Sequence, residues 1–113
     1  MKKKVILLIP KAYNDGNPIP PEVLYSVFER IYIAYNGWTD ALEVVGAYRM
    51  QSGVKQVERM IQVWVVLDES EIPELRRMTA DFCTELKQEA IYFEITGSVV
   101  EFVGPQKTQG SAP

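Results

Sequence analysis

Met60-Ile61-Gln62-Val63-Trp64-Val65-Val66-Leu67-Asp68-Glu69-Ser70-Glu71-Ile72-Pro73 is the stretch whose reading decides the fold. It opens as a β-rich run that includes Val57 and continues to Leu67, dominated by branched aliphatic and aromatic residues. It then changes character within four residues. Asp68, Glu69, Ser70 and Glu71 supply side-chain acceptors and negative charge suited to a helix start, and Pro73 fits a first turn, where a missing N–H costs little. A strand that hands over directly to a helix predicts an α+β domain.

Reading forward, Ile72, Leu75, Met78, Phe82 and Leu86 recur at steps of three and four, placing them on one helical face, with Arg76, Arg77, Asp81, Glu85 and Lys87 on the wet side. Beyond that helix, Ile91, Phe93 and Ile95 alternate with Tyr92 and Glu94 as a strand should. Thr96-Gly97-Ser98 reads as a turn, and Val99 to Val103 as a short terminal strand closing a hairpin.

Reading backward, Gln51-Ser52-Gly53 separates the Val57–Leu67 run from another β-rich segment containing Leu42, Val44, Val45, Ala47 and Tyr48. The two are expected to form an antiparallel hairpin. Leu24, Val27, Phe28, Ile31 and Tyr35 mark an amphipathic helix, opened by Pro20-Pro21 and ended by Asn36-Gly37. Lys11 to Pro20 is dense in turn formers, and Lys4 to Ile9 is a continuous aliphatic run suited to a strand buried on both faces. The element order is therefore strand, helix, strand, strand, helix, strand, with an added terminal strand. It predicts a ferredoxin-like split βαβ arrangement, two helices covering one face of an antiparallel sheet.

Length and composition bound the function. With 113 residues, 47% of them apolar and 24% charged, the chain is expected to be one globular domain over residues 1–103, followed by a flexible tail over 104–113. No apolar run approaches the roughly 20 residues of a membrane span, and Val5 to Ile9 is too short for a secretory core. Cys83 stands alone, so no internal disulfide is expected, and a cytoplasmic location follows. A formal net charge of −3 argues against a nucleic-acid partner. The absence of His removes the commonest general base and the commonest transition-metal ligand together. No cofactor, metal or catalytic residue is assigned.

No phosphate-cradling or dinucleotide-binding glycine motif is present, nor a zinc-protease or nucleophile-elbow motif. Gln56 to Val63 lacks the aromatic pattern of RNA-recognition domains, and the loop after the first strand, Lys11-Ala12-Tyr13-Asn14, lacks the Cys-x-x-Cys of heavy-metal-binding domains.

Gly37-Trp38-Thr39, then Glu58, then Gln88-Glu89-Ala90-Ile91-Tyr92-Phe93 closing on Gly97-Ser98-Val99-Val100-Glu101-Phe102 resembles a group of small bacterial proteins of unknown function. The resemblance covers the last two thirds of the chain. It implies a single domain and transfers no catalytic residue.

Two functional readings follow. In the first, the chain is a non-catalytic binding or assembly domain, most simply a homodimer, because two helices cover only one sheet face and Tyr48, Met50 or Trp64 on the other would need a cover. In the second, it is a small enzyme or ligand-binding protein whose pocket is built from Tyr48, Glu58, Trp64 and Glu89. Asp40 and Glu43 are further acidic groups near the second strand.

Overall fold

Alternation along the first strand, β1 (Lys2–Pro10), sends Val5, Leu7 and Ile9 to one face, where all three are completely buried. Ile6 and Leu8 point to the opposite face and are only half-buried. The aliphatic run is thus sealed on one side rather than on both, although the strand is central in the sheet. The computed structural model describes residues 1–106.

The remaining elements are α1 (Pro21–Tyr35), β2 (Thr39–Arg49), β3 (Lys55–Asp68), α2 (Ile72–Glu85) and β4 (Phe93–Val99). A 3-10 turn, Glu69–Glu71, joins β3 to α2. The sheet order is β2-β3-β1-β4, and every neighbouring pair is antiparallel. Among the described residues no helix is long and apolar enough to cross a membrane.

Local chemistry accounts for the boundaries. Pro21 opens α1, and Asn36 ends it in the left-handed region at φ 65°, donating its N–H to the Tyr32 carbonyl at 2.8 Å. Asn36, rather than the glycine after it, takes the left-handed position. At the start of the second helical segment the Asp68 side chain accepts from the Ser70 N–H at 3.0 Å, while Glu71 accepts from the Asp68 N–H at 3.1 Å. These two bonds satisfy donors that a helix start leaves orphaned.

One core lies between the helices and the sheet. Val27, Phe28 and Ile31 of α1 and Leu75 and Phe82 of α2 pack with Val5, Leu7, Ile9, Val63, Val65 and Leu67. Thr79 is also buried in the α2 stripe, its hydroxyl donating to the Leu75 carbonyl at 2.8 Å, whereas Met78 is only partly covered. Arg30 of α1 holds the Glu85 carboxylate of α2 through both guanidinium NH groups, tying the helices together on their wet side.

The C-terminal part differs from the expected hairpin. Thr96-Gly97-Ser98 is not a turn, and no terminal strand occupies Val99–Val103. Val5 pairs with Ile95 and Lys3 with Val99, so three residues of β4 stand against Lys4 alone. That is a bulge, and the chain continues beside β1 as far as Val100, whose N–H donates to the Lys2 carbonyl at 3.0 Å. A strand still bonded to β1 has not reversed. Gly104 to Gln106 form no regular element, and the rest of the expected tail lies outside the described residues.

Candidate ligand pocket on the open sheet face

The side of the sheet away from the helices takes the alternate residues of each strand. Gly46 faces Glu58 across the β2–β3 pair, Tyr48 faces Gln56, and Pro10 of β1 faces Met60. Pro10, Tyr48, Gln56, Glu58 and Met60, with Leu8 and the segment Gln88–Tyr92 that leads into β4, line a concavity of about 320 Å³ with mostly apolar walls. That volume lies at the small end of ligand pockets.

Gly46 makes the room. A Cβ there would come within 2.8 Å of both the Met60 methyl and the Tyr48 hydroxyl. The Tyr48 side chain instead folds back over the bare backbone, its hydroxyl 3.5 Å from the Met60 sulfur. The isolated glycine in an otherwise strand-like run is the signal by which this close approach could have been found from sequence.

Glu58 is the chemically distinctive group. It is half-buried, and its Oε2 is shielded from solvent with no hydrogen-bond partner among the described residues. Burial pushes its carboxyl pKa up from the ordinary value, because the charged form loses water without gaining a partner. Glu89 sits at the rim, where its Oε2 accepts from the Gln51 N–H at 3.4 Å, so the β2–β3 hairpin tip meets the segment before β4. Tyr92 donates its hydroxyl to Glu94 at 2.9 Å, and this bond leads the causes that raise the phenol. Arg49 also borders the concavity.

Tyr48, Glu58 and Glu89 therefore line one concavity, and Trp64 does not. Trp64 lies on the same face of β3 but six residues farther along, about 20 Å at strand rise. There it lines a second cavity, and the Lys4 ammonium sits 4.2 Å from its ring centre. Even spacing along one strand face keeps residues on the same side but does not bring them together. Met60 joins the pocket without having been singled out in the sequence, and Gly46 lies against its Met60 and Tyr48 walls. Glu43 is engaged elsewhere, with Lys11 at 2.9 Å and Arg59 at 3.6 Å, and Lys11 chiefly holds its carboxyl low. Cys83 borders a shallow groove between α2 and β4, where burial pushes its thiol up and away from the reactive thiolate. Among the described residues no group of three or more His, Cys, Asp or Glu side chains is placed to hold a metal ion.

No protein-family model matches the chain, and no curated protein matches it. Among solved structures it is similar to a phage SAM lyase in complex with S-methyl-5'-thioadenosine. The TM-score is 0.65 at 14% sequence identity, over 84% of this chain and 80% of that one. A likeness at this identity is one of fold.

Proposed function

We propose that the chain is a small ligand-binding protein whose open-face concavity takes a cationic nucleoside of the S-adenosylmethionine type or its thioether product. The observation that carries this reading is Glu58, a half-buried carboxyl group in a mostly apolar concavity, with one shielded oxygen that has no partner among the described residues. Such an oxygen costs free energy until a donor or cation meets it, so the site is preorganised for positive charge. Tyr48 and Tyr92 place aromatic rings in the lining, suited to a base. The fold likeness to a phage SAM lyase in complex with S-methyl-5'-thioadenosine supports the choice of ligand class. We further propose the split βαβ, ferredoxin-like arrangement, supported by the β2-β3-β1-β4 order and the helices on one face. A cytoplasmic setting accords with a lone, half-buried cysteine.

Titration calorimetry with S-adenosylmethionine and with S-methyl-5'-thioadenosine tests the reading. The sulfonium compound is expected to lose about tenfold to a hundredfold in affinity in Glu58→Gln, the range for a charged hydrogen-bonding partner, while the neutral thioether changes little. Absence of saturable heat with either compound would overturn the proposal. Release of the thioether from S-adenosylmethionine in the same mixtures separates a lyase from a binding protein.

A second reading, assembly through a sheet edge, has its own observation. β2 is an edge strand of 11 residues on which Leu42 and Val45 are 55% and 67% exposed. A strand of that length with an open outer edge and apolar side chains suits a second copy. Sedimentation at micromolar concentration decides between a dimer and a monomer.

A further inference from the structure

The second cavity, about 340 Å³, lies at the opposite end of the open face and follows directly from the strand register. β2 begins at Thr39, opposite Trp64, so β3 runs on to Asp68 without a β2 neighbour. The Asn36–Trp38 connection borders the gap this leaves, and Trp38 is fixed by stacking on Phe28 at 4.8 Å between ring centres. Trp64 is held in its turn, its indole N–H donating to Gln62 at 2.8 Å. Two indoles restrained by other contacts thus border one space.

The charge lining the cavity has a single sign, and Asp68, which stands opposite Lys2 in the β1–β3 register, is engaged by the Met1 amine at 2.9 Å and by Ser70. Lys2 lines the cavity, and Lys4 stands two residues along the same face of β1 with its ammonium over the Trp64 ring. Among the described residues neither ammonium has a carboxylate within 4 Å, although Lys11 at the far end of β1 does. No Asp or Glu lines the cavity. Aromatic walls alone would also welcome a cation, but two unneutralised ammonium groups oppose one and favour an anion.

We infer that this cavity is a second ligand site, which takes a small planar aromatic anion. The ring packs against Trp64 and Trp38, and the anionic group faces the Lys2 and Lys4 ammonium groups. The inference stands independently of the Glu58 pocket, from which it differs in the sign of charge it selects.

The test uses 8-anilinonaphthalene-1-sulfonate as the probe, on protein whose near-UV circular dichroism confirms native packing. Saturable fluorescence enhancement is expected, with energy transfer from tryptophan. The Lys2→Gln/Lys4→Gln double variant alters only the two ammonium groups and is expected to bind about tenfold more weakly, as is Trp64→Leu. Glu58→Gln is expected to leave probe binding unchanged. N-phenyl-1-naphthylamine, which lacks the sulfonate, is expected to bind more weakly than the sulfonated probe. Equal binding of the two probes would overturn the anion selectivity. Unchanged probe affinity in the double-lysine variant, or its loss in Glu58→Gln, would overturn the site.

Discussion

The two faces of the sheet share the central strands β1 and β3 and yet serve opposite ends. On the helix-covered face Val5, Leu7, Val63 and Val65 are wholly buried among aliphatic neighbours and carry no chemistry. On the open face the alternate positions hold Glu58, Tyr48, Trp64 and Lys4, only partly covered, and leave two cavities. A period of two separates a stability surface from a recognition surface within a single strand. Mutations that discriminate the faces should therefore move different observables.

The largest effect belongs to the covered face. Phe82→Ala removes a fully buried ring and is expected to cost about 3–5 kcal/mol in urea melts, a large share of a small domain's total stability. A loss below about 1 kcal/mol would break the contrast.

Gly46→Ala probes the open face. The new methyl meets the movable ends of Met60 and Tyr48 rather than backbone, so the stability loss is expected to stay within about 1 kcal/mol. Displacing Tyr48 should nonetheless reshape the concavity and lower S-adenosylmethionine affinity by about tenfold, read by calorimetry. A melt that shifts while affinity holds would reverse the assignment of that face.

Glu85→Ala refines the comparison on the helices' own surface. Glu85 belongs to the wet side of its stripe, where replacement ordinarily costs no more than about 0.5 kcal/mol. Its contact with Arg30 is partly exposed, so the expected loss is about 0.2–1 kcal/mol, diminishing with added salt.

The smallest effect is a pH slope. Because burial raises the Glu58 pKa in the folded state, the native protein holds this proton more tightly than the unfolded chain does. Its contribution to stability is then complete below the ordinary value near 4.5 and is lost as pH rises through the raised one. Binding of a sulfonium ligand should strengthen over the same window, as the carboxylate forms. Opposite slopes of melting and binding with pH, both flattened in Glu58→Gln, are the expected signature.

Much of the architecture was legible because periodicity reports burial directly. Both helices, the hairpin around Gly53 and the Phe82 stripe follow from spacing and turn residues. Thr96-Gly97-Ser98 misled, because the same small residues serve a turn or a bulge, and only pairing with β1 distinguishes them. For the pocket, the sequence pointed to Tyr48, Glu58 and Glu89 but placed Trp64 with them. Separation along a strand is a distance that composition does not reveal. Met60 reads as core in any hydrophobicity pattern, and it is indeed buried, yet on the side where no helix lies.

The bulge in β4 has a consequence for how copies of this chain can meet. A visiting strand laid along that border would find regular spacing only over Phe93–Ile95 before three residues crowd the span that one residue of β1 matches. Open-ended stacking of sheet upon sheet, the route by which exposed edges seed fibrils, is thus interrupted at one border of the molecule. The β2 border carries an irregularity of its own between Asp40 and Leu42, so its regular ladder is confined to Leu42–Arg49.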